Sequence, residues 1–139
     1  MFNYSGGMGA RASKKGLSAT CYPAGISAVP IEVLEAEMLI VFDRKELMRG
    51  SGEKGTFPGG DGQVVEFHRR TSQPWMLNAI VSRTRFPSDG LAGVEAGLPG
   101  RFLVNGKSES SARKLVLKPE DHVSLETPGG GGYGRTEIA

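Results

Sequence analysis

The sequence predicts an all-β fold: a single-domain barrel or sandwich with long glycine-rich loops and an irregular N-terminal arm. Three observations carry that prediction. Glycine fills 21 of 139 positions, about twice its average share, so turns and close backbone contacts must be frequent. Short apolar runs rich in β-branched and aromatic residues recur between glycine and proline clusters, the strand-and-turn rhythm of a β domain. No stretch sustains the 3.6-residue apolar period of a long helix. A chain of this length holds one domain, divided by composition into an arm over residues 1–30 and a β-rich domain over 31–139.

The arm, "MFNYSGGMGARASKKGLSATCYPAGISAVP", has no sustained period of either 2 or 3.6 and is expected to pack on a neighbouring surface or to stay mobile. After Pro30, "IEVLEAEMLIVFDRKEL" can begin with one turn of helix, because proline suits the first helical turn and Glu32 and Glu35 suit its positive end. The "MLIVF" run is short and β-branched. It reads as a buried strand in preference to a helix continuing to Leu47.

"GSGEKGTFPGGDGQ", Gly50 to Gln63, is dense in turn dipeptides and predicts a long loop or hairpin end. "VVEFHRRT" then alternates, with Val65, Phe67 and Arg69 on one side and Val64, Glu66, His68 and Arg70 on the other. A second strand follows Pro74, its apolar mass supplied by Trp75, Leu77, Ile80 and Val81. "PSDGLAGVEAGLPGR" is another glycine-punctuated connection. Asn105-Gly106 predicts a tight hairpin, since both residues accept the positive φ of a type I′ turn. "ARKLVLKPEDHVSLETP" supplies two closing strands, with Lys118 to Asp121 as the turn between them.

Seventeen Lys and Arg against fifteen Asp and Glu leave a net charge of +2, too small and too scattered for a nucleic-acid surface. The "HRR" cluster at His68 to Arg70 reads as a solvated strand face. A single cysteine, Cys21, rules out an intramolecular disulfide framework or a four-cysteine zinc site, and a reducing cytoplasm fits that usage. No apolar run approaches a membrane span, so neither a membrane nor a nucleic-acid partner is expected.

Motifs that carry chemistry are scarce. His68 and His122 both sit in apparent strands facing away from the apolar set. As a metal pair they would need a third ligand, and Cys21 has no ligand spacing around it, so no metal site is assigned. There is no G-x-S-x-G elbow. "GSGEKG" fails the Walker pattern because Gly55 is followed by Thr56, and "GGMGAR" lacks the strand and helix of a dinucleotide fingerprint. Glu32 and Glu35, at i and i+3, share a helical face if that turn forms; they are candidates for a substrate amine or cation, with first-turn stabilisation the better reading. The run Gly129 to Gly132 in "TPGGGGYG" admits three readings: a phosphate cradle, a linker, or a close-packed turn with no room for side chains. The last fits best, because no helix and no second domain follow it.

Taken together, "GGMGAR", "GLSAT", "VPIEVLE", "GSGEKGTFPGGDG", "GLAGVEAGLPG", "NGK" and "TPGGGGYG" resemble, in order, the C-terminal portion of the hydantoinase B family. This is the B-type subunit or half of ATP-dependent 5-oxoprolinases and N-methylhydantoinases, related also to acetone and acetophenone carboxylase subunits. The chain departs from the family's pattern where Glu53-Lys54 replaces a glycine-containing pair, Lys15 an acid, Glu120 a turn glycine and Val94 a second glycine after Gly93. The resemblance implies a C-terminal fragment or split part of a cyclic-amide hydrolase that is not active alone, or else an assembly module or a carboxylase relative. ATP and a divalent metal would belong only to the complete enzyme, with no cofactor in this chain. The implied partner is an A-type subunit or an N-terminal half lacking here; a homo-oligomer is a further expectation. Residues at a substrate or subunit edge would be Glu32, Glu35, Asp61, Arg83, Gly129, Gly130, Gly131, Gly132 and Tyr133, with no catalytic residue assigned. An apolar surface normally covered by a larger body is expected around Met38 to Phe42 or Trp75 to Leu77.

Overall fold

A computed structural model of the chain describes residues 4–20, 30–109 and 113–135. Its elements are one helix, α1 (Ile31–Met38), and seven strands: β1 (Ile40–Leu47), β2 (Gln63–Arg69), β3 (Trp75–Ala79), β4 (Arg101–Val104), β5 (Lys107–Ser108), β6 (Arg113–Leu117) and β7 (His122–Glu126). The strands form a five-stranded antiparallel sheet in the order β1-β2-β7-β4-β5 and a two-stranded sheet of β3 and β6. The larger sheet does not close on itself. The result is a sandwich-like all-β fold.

Register explains the core. Across the large sheet Phe42, Phe67, Val123 and Val104 stand in one row, and Val65, Leu125 and Phe102 in the next. Because side chains alternate along a strand, both rows point to the same face. There they meet Trp75, Ala79 and Leu117 of the small sheet; Val65, Phe67, Phe102 and Val123 are buried with these three, and Phe42, Val104 and Leu125 pack half-buried against them. Burial of this apolar surface, at about 25 cal/mol per Å², is the main term holding the two layers together.

The helix is longer than the single turn the sequence predicts. It runs through Met38 and stops at Leu39, whose φ of 54° is left-handed. The strand predicted from "MLIVF" therefore starts at Ile40. Leu34 is the buried residue of the helix, and Glu35 Oε1 accepts a hydrogen bond from the Phe42 N–H at 3.1 Å, tying α1 to β1. The Asn105-Gly106 hairpin forms as expected, with φ of 50° and 80° at its two central residues. At the Lys118 to Asp121 turn the Lys118 N–H donates to Asp121 Oδ2 at 2.8 Å. β6 and β7, which this turn joins, lie in different sheets.

Where β7 ends and β2 begins, the glycine loops gather. The buried Thr127 pins that corner: its Oγ1 accepts from the Gln63 N–H at 2.7 Å, and the Thr127 N–H donates to Gln63 O at 2.9 Å. Residues 4–20 are knit into the same corner through main-chain bonds to Pro58, Gly60, Asp61, Pro128 and Gly131. Packing, the first of the two outcomes expected for the arm, therefore holds for this stretch. Cys21 lies outside the described residues.

Candidate functional site

The loop corner is a layer made mostly of backbone. At its centre runs Gly129 to Gly132, all four residues buried. Gly130 donates to Gly60 O at 2.9 Å and accepts from the Glu53 N–H at 3.0 Å, while Gly131 O and Gly132 O accept from Ala10 and Leu91. Tyr133 exchanges both main-chain bonds with Phe57 and also bridges to Leu91. A Cβ on Gly129 would sit 1.9 Å from Ser51 O, one on Gly130 2.2 Å from Met8 O, and one on Gly131 2.0 Å from Asp89 O. Backbone this close excludes any side chain, because carbonyls held on both sides by hydrogen bonds cannot step back. Of the three readings of the run, the close-packed one describes its geometry. Glu53, at a departure from the family pattern, bonds Gly130 through its backbone, and Pro119-Glu120-Asp121 still makes its turn, so these substitutions leave the turns formed.

Three polar side chains brace the layer. The Gly62 N–H donates to Oγ of the buried Ser51 at 2.9 Å. Asp61 Oδ1 accepts from the Gly52 N–H at 3.1 Å, while the Asp61 N–H donates to Ser18 Oγ at 2.9 Å. Asp61 also lines an open groove of about 470 Å³ beside the layer, together with Lys15, Arg49 and Lys54. Three cations against one carboxylate make that rim positive.

The other residues singled out from the sequence lie apart from this groove. Glu32 is exposed on α1, and Glu35 is occupied by the Phe42 N–H. Arg83 is exposed at a positive φ of 54°, and its carbonyl accepts from Gly100. Gly129 to Gly132 lie beneath the surface. Of the apolar surface expected around Trp75 to Leu77, Met76 is 69% exposed and faces Val116, 73% exposed, on the outside of the small sheet. Trp75 and Ile40 belong to the core instead.

A second cluster was not legible in the sequence. His68 and His122 are directly opposed in the β2–β7 register, with ring centroids 4.7 Å apart. Asp43 joins them because β1 carries a bulge: Phe42 pairs with Phe67 and Arg44 with Glu66, leaving Asp43 as the extra residue. Its Oδ2 accepts from Nδ1 of His68 at 2.9 Å and from Nδ1 of His122 at 3.1 Å. Burial opposes the Asp43 charge, but these hydrogen bonds and the nearby imidazoles outweigh it and hold the carboxyl below its usual range. The "HRR" cluster is thus only partly a solvated face.

Comparison with known proteins identifies the family of the chain. The sequence model of the hydantoinase B/oxoprolinase family matches residues 1–136. The 5-oxoprolinase of Dictyostelium discoideum is 27% identical over 139 residues, covering 96% of this chain and 11% of its own length. The caprolactamase subunit beta of Pseudomonas jessenii is 31% identical over 123 residues, covering 82% of this chain and 21% of its own. The crystal structure of the ATP-dependent caprolactamase from the same organism superposes with a TM-score of 0.73 at 29% identity, over 95% of this chain and 24% of that one. A nucleotide-free acetone carboxylase structure also superposes with a TM-score of 0.73, but at 16% identity it speaks to the fold alone. The chain thus spans a minor part of the length of each of these relatives. With an all-β sandwich, a backbone-packed glycine layer and a family match over residues 1–136, the chain belongs to the hydantoinase B/oxoprolinase family.

Proposed function

We propose that this chain acts as the glycine-layer part of a B-type subunit, in an assembly with an A-type subunit that opens a cyclic amide at the expense of ATP. The observation that carries the reading is the layer itself. Its glycines are required one by one by neighbouring backbone, and the layer lies within the match to lactam-opening relatives. In this reading the chain divides into an arm over residues 1–30, whose described stretch 4–20 closes the layer, and a β-rich body over residues 31–139. Phosphorylating an amide oxygen makes its carbon a better electrophile, so a positioned water attacks at modest cost. No residue of this chain is assigned to either chemical step.

The chain's part is to hold shape at the edge of the site and to meet a partner. Asp61 ties the loop that carries Arg49 and Lys54 through the Gly52 N–H and the stretch that carries Lys15 through Ser18, and this positive rim suits an anionic group on the partner surface or the substrate. Gly129 to Gly132 and Tyr133 support that edge from beneath. The exposed Met76 and Val116 face suits contact with the remainder of the B-type body, whether on the same polypeptide or a separate one. Hydrolysis is favoured over carboxylation because the relatives at 27–31% identity are a 5-oxoprolinase and a caprolactamase, while the carboxylase likeness is one of fold.

Co-expression of the polypeptide with an A-type subunit tests the assembly. The two are expected to co-purify as a complex of defined stoichiometry. Co-elution absent at micromolar concentration, with both proteins folded, would defeat the proposal.

A further inference from the structure

We propose that Asp43, His68 and His122 form a divalent-metal site on the outer face of the five-stranded sheet, binding zinc or a similar first-row ion through two imidazole nitrogens and one carboxylate oxygen. The site is distinct from the glycine layer. It does not rest on the assembly proposed above.

The donor geometry supports it. A tetrahedral ion about 2.0–2.1 Å from each ligand atom spaces those atoms about 3.3 Å apart. Asp43 Oδ2 lies 2.9 Å from His68 Nδ1 and 3.1 Å from His122 Nδ1, and all three donors fall within 4.8 Å of one another. To admit an ion the two Asp43 edges open by a few tenths of an ångström and the edge between the imidazoles, at most 4.8 Å, closes toward the same spacing. Two hydrogen bonds to a carboxylate are free to use both of its oxygens. Here both rings converge on Oδ2, so the three donors define one point.

The fold holds that point. The β2–β7 pairing sets the two histidines side by side, and the bulge adds Asp43 from the neighbouring strand. Behind His122, its backbone N–H donates to Asn105 Oδ1 at 2.9 Å, and Asn105 Nδ2 donates to Asp121 Oδ1 at 2.7 Å, fixing the start of β7. The ligand side chains retain exposures of 28%, 59% and 34% for His68, His122 and Asp43, which leaves a fourth coordination position open to water. Imidazole with carboxylate suits zinc, cobalt, nickel or copper in preference to magnesium or calcium, which favour oxygen ligands. A ring that binds the ion through Nδ1 carries its remaining proton on Nε2.

The test is titration of the full chain, stripped of metal with chelator, with Zn2+ by calorimetry, and with Co2+ by visible absorption as a report on coordination. One equivalent is expected to bind. His122→Ala, at the most exposed ligand, and His68→Ala should each weaken binding beyond the roughly 10–100-fold that loss of an outer-shell partner costs. Glu66→Gln, a carboxylate on the same sheet face outside the cluster, should leave affinity unchanged. Saturating Zn2+ should raise the melting temperature of the wild type and of Glu66→Gln but not of His122→Ala. Circular dichroism verifies that each variant is folded. Absence of saturable binding to the wild type, or equal affinity in His122→Ala and the wild type, would overturn the proposal.

Discussion

Replacing Gly130 by alanine probes the glycine layer most sharply. The new Cβ would lie 2.2 Å from Met8 O, 2.4 Å from Met8 C and 2.8 Å from Gly9 N, all of them backbone atoms. An ordinary carbon–oxygen contact is longer by about 1 Å, so either Gly130 or the loop around Met8 must move by that much. Both sides are tied: Gly130 N–H to Gly60 O, Glu53 N–H to Gly130 O, and Gly60 N–H to Met8 O at 2.8 Å. Movement stretches at least two of these bonds, each worth about 1 kcal/mol net and more if a buried group is left unpaired. Overpacking adds about 1–3 kcal/mol. The expected loss is about 3 kcal/mol or more, a large share of the stability of a small domain. Gly9→Ala is the matched control, because its Cβ meets only Gly131 O at 3.8 Å, an ordinary contact, and it should change stability by less than about 0.5 kcal/mol. Urea unfolding followed by circular dichroism reads both. If Gly130→Ala unfolds within about 0.5 kcal/mol of the wild type, the close-packed account of the run is wrong.

Thr127→Val keeps the shape of the side chain but strands the Gln63 N–H at the corner of the sheet, and should cost about 1–3 kcal/mol in the same urea assay; a change below the error of the measurement would show that water replaces the hydroxyl. Arg101→Ala removes the paired bonds from Arg101 to Glu126, at 2.6 and 3.0 Å, yet because Arg101 is exposed the loss should stay near or below about 1 kcal/mol and shrink further in high salt. Burial pushes the Tyr4 hydroxyl up to about 12, so the unfolded chain releases this proton first as pH rises. Stability from this group is complete below pH 10 and is lost between about 10 and 12, and Tyr4→Phe should flatten that alkaline limb; parallel profiles for the two proteins would contradict the burial argument.

Much of the fold was legible because its signals are local. Val65 and Phe67 alternate with Glu66 and His68 whatever the strand's neighbours are, and Asn105-Gly106 needs only its own two φ angles to make a hairpin. The glycine run gave its packing role away through its surroundings, with the strand "HVSLE" and Pro128 directly ahead of it. Sheet order is a different matter. That His68 would face His122 depends on β7 pairing with β2, a long-range choice to which neither strand's sequence points. The bulge at Asp43 is hidden for the same reason, since "VFDRKEL" reads as an unbroken strand until its register with β2 is known. No third partner for His68 and His122 is signalled by spacing in the sequence, Cys21 having no ligand spacing around it; in the fold Asp43 joins them from β1. Glu35 was legible as a helix carboxylate, but its partner, the Phe42 N–H, follows from where α1 stops.

The central claim is that these residues are a working part of a B-type subunit. Its most direct test is the ring-opening rate of a reconstituted assembly of A-type subunit and complete B-type body, assayed with 5-oxoproline and ATP, with and without this chain's 139 residues. The account predicts ATP-dependent release of glutamate when they are present and loss of that activity when they are absent. Undiminished turnover in an assembly lacking them would contradict it.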